Sequence, residues 1–267
     1  MGNSHVAKLV PITWGGFWDI FGKILVEFLK IEEGEYVLDF GTGAGSVLYP
    51  MAMKVAPSGS VVGIEKSEYW VKQTSEEISR CGIENAEILL MDGREMTFVD
   101  NSFDHVAAGF IGWDNYFDFR RLEYRKSDPD PMVSEIRRVL KSGGLFGLST
   151  WLVQADLDWM HQFLSGQSIA CNTNYSAENE KGWRIIMERG GFTDIEFLSH
   201  SVSYTYESKE IWWKEMRDYD WTEEKNDNEL ITGEVKEQAF QEIQGYCIDK
   251  GGVQFTREAL FVRGRKE

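Results

Sequence analysis

Cysteine is scarce in this chain: three in 267 residues, at Cys81, Cys171 and Cys247. They are far apart, odd in number and form no CxxC pair, which excludes a disulfide framework and a cysteine zinc site. Histidine is nearly as rare, with four isolated residues and no HExxH pattern, so no metal site is expected. His105 lies inside a strand-like run and reads as structural; His161 suits either a surface helix or a pocket wall. Basic charge is short as well: 28 Lys and Arg against 44 Asp and Glu leave −16. That balance repels a phosphate backbone and gives no hold on anionic lipid, so nucleic-acid and membrane partners are not expected. No apolar run approaches the ~20 residues that cross a bilayer. Residues 1–10 carry one lysine and no long apolar stretch, unlike a signal peptide, and Val6 stands where myristoylation needs Ser or Thr. A cytoplasmic monomer or homodimer is the expectation. The hydrophobic fraction of 42% excludes wholesale disorder.

What is present is an alternation of strand and helix from about 35 to 150. Tyr36–Phe40, Val61–Glu65, Ile88–Met91, Phe103–Phe110 and Leu145–Thr150 read as short buried strands. Ser46–Val55, Glu68–Arg80 and Pro131–Leu140 have helical spacing between them, with Ser67 as an N-cap. Continuous apolar strands suit a parallel sheet covered on both faces, so a doubly wound α/β domain is expected. A helix near Ala177–Arg189 and strands near Ile195–Val202 and Ala259–Arg263 complete it. Two stretches break the alternation: Gly112–Pro131, and Tyr204–Lys250, which reads as helical with a loop at Asn226-Asp227-Asn228.

The most informative stretch is Val37-Leu38-Asp39-Phe40-Gly41-Thr42-Gly43-Ala44-Gly45. A strand end, a glycine turn and a helix start make a crevice where ligands meet bare backbone and helix N–H groups. Three readings compete. A P-loop needs Gly-Lys-Ser/Thr, and Gly45-Ser46-Val47 has no lysine. A dinucleotide fingerprint needs a third glycine where Ser46 stands. A purely structural turn is the third. Glu65, at the second strand end, can accept two ribose hydroxyls. Asp92-Gly93, at the third, can accept an adenine amino group. Singly, each is more often a solvated strand end than a ligand contact; in sequence they reinforce one another.

Taken together, these stretches resemble the class I S-adenosylmethionine-dependent methyltransferases. Leu38 to Gly45 is similar to that family's first motif, Val62 to Ser67 to its second-strand motif, and Met91-Asp92-Gly93 to its adenine-contacting motif. Asn101-Ser102-Phe103-Asp104 resembles its D-x-S-F-D run, and Arg137 to Gly144 its R-V-L-K-P-G-G run, with Ser142 in place of proline. The likeness covers about 35–203 and is nearest to the small-molecule, quinone-biosynthesis-like branch. It implies a Rossmann-like, mostly parallel seven-stranded sheet. The expected organisation is an N-terminal helical lid at 1–34, a cofactor-binding core at 35–203, a helical cap insertion at 204–256 and the final strand at 257–267.

The resemblance also implies roles. Asp39 would organise the loop and the methionine end of the cofactor, with Gly41, Thr42, Gly43 and Gly45 letting it approach the backbone. Glu65 would hold the ribose and Lys66 cover the adenine, which Asp92 and Gly93 would bind. Phe110 would offer its carbonyl. Methyl transfer to O, N or C of a small acceptor would follow, releasing S-adenosylhomocysteine. No Asn/Asp-Pro-Pro-aromatic motif follows the fourth strand, which argues against base or glutamine-amide methylation. Trp113, Asp114 and Tyr116 are substrate-pocket candidates, with core packing the alternative for the two aromatics, and Trp151 joins them. Trp14 and Trp18 belong to the lid or to a helix packed on the sheet edge. Trp212 and Trp213 are adjacent, so on a helix one would pack inward and the other toward a pocket. Thirteen acidic and six basic residues give 204–250 a net −7. That is a solvated face, or an acidic aromatic cap favouring a neutral or cationic substrate. Rival readings are a protein methyltransferase, an NAD-dependent oxidoreductase, disfavoured by Asp39 and Ser46, and a non-catalytic binding module.

Overall fold

The computed structural model describes residues 17–167, 178–217 and 233–267. Trp14, Cys171 and the Asn226–Asn228 loop lie outside the described residues. Five strands share one sheet: β1 (Tyr36–Phe40), β2 (Ser60–Glu65), β3 (Ala86–Leu90), β4 (Phe103–Gly109) and β7 (Leu140–Gln154). Two later strands, β8 (Phe192–Tyr206) and β9 (Val253–Lys266), complete it in the order β3-β2-β1-β4-β7-β9-β8. The pairs β1 with β2, β1 with β4, β2 with β3 and β4 with β7 are parallel. This is the doubly wound α/β domain that the alternating pattern predicts, with the seven-stranded, Rossmann-like sheet that the family resemblance implies. Parallel strands need crossovers, and α2 (Leu48–Val55), α3 (Glu68–Cys81) and α4 (Pro131–Val139) supply them. Gly82 ends α3 in the left-handed region at φ 63°. Asp130 caps α4 ahead of Pro131, its side chain accepting the Met132 amide. The irregular stretch after β4 contains a small antiparallel hairpin, β5 (Phe117–Asp118) with β6 (Glu123–Tyr124).

The chain divides into two compact units. The first comprises 1–150, 178–198 and 260–267. In it, α1 (Phe17–Phe28) buries Phe21, Leu25 and Val26. Gly22 of α1 sits so close to the Ser46 carbonyl that an added Cβ would lie 1.9 Å from the oxygen. The helix therefore packs directly on the segment that follows the glycine loop. α6 (Glu180–Arg189), capped by Asn179, also belongs to this unit.

The second unit comprises 151–177 and 199–259. It starts earlier than the expected cap at 204 because α5 (Ala155–Gly166) contributes Leu157, Met160, Phe163 and Leu164 to its apolar core. α7 (Lys209–Arg217) and α8 (Gly233–Glu242) are the helices expected there. Both Trp212 and Trp213 are buried in that core. Trp212 meets Trp159 of α5 and Phe255 of β9, while Trp213 meets Phe240 of α8. The expectation that one of the pair faces a pocket is thus corrected: α7 has packing partners on both sides.

Candidate functional site

At the C-terminal ends of β1 and β2 the sequence Gly41-Thr42-Gly43-Ala44-Gly45 turns sharply. The amides of Gly41 and Thr42 donate to the Ile64 carbonyl at 2.9 and 3.0 Å. Gly41, Gly43 and Gly45 have φ of 78°, 50° and 88°, a region that side chains disfavour. Gly43 is gripped from both sides: its N–H donates to Glu65 Oε2 at 3.0 Å, and its carbonyl accepts from Thr74 Oγ1 at 2.7 Å. Yet nothing lies within 4 Å of where a Gly43 Cβ would stand. The open side of Gly43 faces a cavity of about 770 Å³. Gly45 differs: an added Cβ there would meet the buried Tyr49 ring at 2.5 Å.

The cavity wall brings together residues from four strand ends. Gly41, Thr42, Gly43, Glu65, Lys66, Asp92, Gly93 and Phe110 all line it, as do Trp18 of α1 and Tyr116. Glu65 Oε1 also accepts from the Ser67 amide at 2.9 Å. Each oxygen thus holds one backbone donor and keeps capacity for another, as two hydroxyl groups would require. Asp92 is more heavily engaged. Arg94 donates to it through its backbone N–H at 2.9 Å, Nε at 3.0 and 3.1 Å, and Nη2 at 2.5 Å. These bonds pull the Asp92 carboxyl down to about 2. Arg94 itself lines the cavity. Reading the sequence misses it, though the Asp92-Gly93-Arg94 turn carries the signal. Trp70, Ile111 and Met132 are further wall residues that no local motif marks.

Asp39 and Gly45 are not on the wall. Asp39 is buried on β1, and among the described residues neither of its carboxylate oxygens has a hydrogen-bond partner. Burial pushes its carboxyl up to about 7, against the smaller favourable influence of Thr42 and the Leu48 amide; Glu65 adds a further push upward. A buried carboxyl raised in this way gives up its proton more readily when a cation comes near. Phe110 adopts φ 50°, held by its amide donating to the Ser149 carbonyl at 2.9 Å and by edge contacts of its ring with Trp18 and Phe21.

Five pocket candidates are corrected, none of them on the cavity wall. Trp113 is 1% exposed and packs edge-on against Trp183 behind the wall. Trp151, Trp212 and Trp213 belong to the second unit, where Trp151 lies under the Arg257 guanidinium. Asp114 is half-buried and off the wall. His105 is structural, its Nδ1 accepting from the Leu145 amide at 3.2 Å. No cluster of three metal-ligating side chains occurs among the described residues, and no helix among them is long and apolar enough to cross a membrane.

Comparison with known proteins agrees with this geometry. A family described as "Methyltransferase domain" matches residues 31–218. The demethylmenaquinone methyltransferase of Listeria monocytogenes serotype 4a (strain HCC23) is 31% identical over 142 residues, 53% of this chain and 52% of its own length. The chain thus spans about half the length of that relative. Among solved structures, the YcgJ protein of Bacillus subtilis superposes with a TM-score of 0.58 at 17% identity, over 93% of this chain and 99% of that one. Phosphoethanolamine N-methyltransferase 2 of Haemonchus contortus, in complex with S-adenosyl-L-methionine, gives a TM-score of 0.53 at 18% identity, over 92% of this chain and 52% of that one. Both likenesses concern the fold.

Proposed function

The chain belongs to the methyltransferase-domain family, and on that premise we propose that its cavity binds S-adenosylmethionine and that the protein methylates a small-molecule acceptor. The observation that carries this reading is the glycine loop. Gly43 is locked by Glu65 and Thr74 yet open toward the cavity, so a ligand can lie against bare backbone beside a carboxylate suited to two hydroxyls. Glu65 would take the ribose. Lys66, Trp70, Gly93 and the Asp92–Arg94 pair would line the adenine. The buried Asp39 carboxylate would supply negative charge beneath the methionine end.

When bound, the cofactor supplies an electrophilic methyl on a cationic sulfur. What this chain must do is align an acceptor and keep water out, and such positioning can contribute roughly 7–11 kcal/mol. Trp18, Phe110, Ile111, Tyr116 and Met132 form an apolar and aromatic part of the wall, which suits a flat, largely apolar acceptor. The net charge of −16 supports a small acceptor over nucleic acid.

Titration calorimetry with S-adenosylmethionine and S-adenosylhomocysteine tests the first half. Both are expected to bind one-to-one, and NAD is not; absence of both, or tighter binding of NAD, would overturn the reading. For the second half, 1,4-naphthohydroquinone is the probe, chosen by the likeness to demethylmenaquinone methyltransferase. Transfer of label from methyl-labelled cofactor to the hydroquinone is expected. Cofactor binding without transfer to it or to a panel of phenols and amines would leave a binding module instead.

A further inference from the structure

Behind the cavity wall lies a buried polar network that cofactor binding does not use. Its centre is Trp113, at the start of the turn that follows β4. Each of its polar groups is held. The backbone N–H donates to Glu178 Oε1 at 2.5 Å, and the indole N–H donates to Asp130 Oδ2 at 2.8 Å. The carbonyl accepts from the amides of Tyr116 and Phe117, each at 2.9 Å. The indole ring packs against Trp183 at 5.2 Å and Phe40 at 6.5 Å between centroids.

The two acceptors are themselves buried. Glu178 is 4% exposed and also accepts from the Trp183 indole at 2.8 Å. Asp130 is 1% exposed and also accepts from the Met132 amide at 2.7 Å. Among the described residues no lysine, arginine or histidine forms an ion pair with either. Burying two carboxylates without a cation is costly. Apolar contacts would hold a core at lower cost, but they do not fix direction as hydrogen bonds do. What these bonds orient is the cavity wall. Glu178 ties the segment before α6 to the turn carrying Ile111 and Tyr116. Asp130 ties the same turn to the start of α4, where Met132 lines the cavity.

We infer that Glu178 and Asp130 are positioning residues that grip Trp113 from two sides and thereby hold Ile111, Tyr116 and Met132 in place as the acceptor-side wall. This rests on the proposed methyltransferase reading for what the wall contacts, though not for the network itself. The substitution Glu178→Gln places an amide donor where two N–H donors converge, so one bond must break. Trp113→Phe keeps the ring and the backbone N–H but deletes the bond to Asp130.

The experiment is amide hydrogen exchange of the whole chain with steady-state kinetics on 1,4-naphthohydroquinone. In both variants exchange across 110–118 is expected to speed at least tenfold. The KM for the hydroquinone should rise at least fivefold, while the Kd for S-adenosylmethionine stays within threefold. A purely structural role would raise that Kd and KM together with a falling Tm, and this would overturn the inference, as would unchanged exchange in 110–118. If wild type does not methylate the hydroquinone, the acceptor reading fails, while exchange in the two variants still decides the network. Should E178Q not fold, W113F alone decides it by the same exchange measurement.

Discussion

Gly43 and Gly45 lie two positions apart in one loop and do opposite things. A methyl at Gly43 meets no protein atom, so Gly43→Ala is opposed chiefly by its positive φ, a cost of about 1–2 kcal/mol. That variant is expected to fold with Tm lowered by a few degrees and to lose at least tenfold in S-adenosylmethionine affinity, read by calorimetry. Gly45→Ala has the same backbone strain and also drives a methyl into the Tyr49 ring. Its expected loss is about 2–5 kcal/mol, seen first as a fall in Tm. Asp39 gives a pH signature. Its carboxyl, raised from 3.8 to about 7, keeps a proton in the folded protein that the unfolded chain has released. Its contribution to stability therefore falls as pH rises from about 4 to about 7. Affinity for a cationic ligand should rise over the upper part of the same window. Against D39N, wild type should bind S-adenosylmethionine at least tenfold more tightly at pH 8, and the two should converge by pH 5.5. Parallel titrations at both pH values check this; a constant ratio would refute the role of the charge.

Helix α1 shows how an element is placed by one missing side chain. Replacing a mid-helix glycine by alanine ordinarily stabilises by about 0.5–1 kcal/mol. At Gly22 the added methyl would overlap the Ser46 carbonyl at 1.9 Å, and backbone cannot swing aside. Overpacking of this kind costs about 1–3 kcal/mol, so the sign reverses and Gly22→Ala should lower Tm. Because the same helix presents Trp18 to the cavity and Phe21 to Phe110, cofactor affinity should fall with it. Thermal melts with and without S-adenosylmethionine measure both. Most elements were legible from periodicity: α3 starts after Ser67, whose side chain makes no capping bond, and stops at Gly82, and α4 starts at Pro131. Strands β7, β8 and β9 extend at both ends beyond the apolar cores that mark them in the sequence, through residues whose burial alternates or is partial.

At the scale of the molecule, charge and aromatic residues are divided unevenly. The acidic 204–250 segment belongs to the second unit, whose interior holds the pair Asp156 and Arg257 with Tyr206. Asp156 is fully buried, and Arg257 lies 4.2 Å from the Tyr204 ring centroid. Removing one partner of such a pair costs about 3–5 kcal/mol, because the other charge stays buried. Arg257→Met should destabilise strongly, and pairing it with Asp156→Leu should recover much of the loss. Every cavity-lining residue belongs to the first unit, so the folded fraction of Arg257→Met should bind S-adenosylmethionine within threefold of wild type. Denaturant melts and calorimetry separate the two effects.

The fold and the glycine-loop side of the cavity were readable in the chain because they rest on local order: a strand, its end residue and the turn that follows. Asp39, the three glycines, Glu65 and Asp92 each stand at such a junction. The aromatic residues were not readable in that way. Whether a tryptophan lines a cavity or fills a core depends on which distant residues reach it. Trp113 is held by Glu178, 65 positions away, and Asp156 by Arg257, 101 positions away. Residue type marks these side chains as important, but only the packing of remote segments settles which surface each one meets.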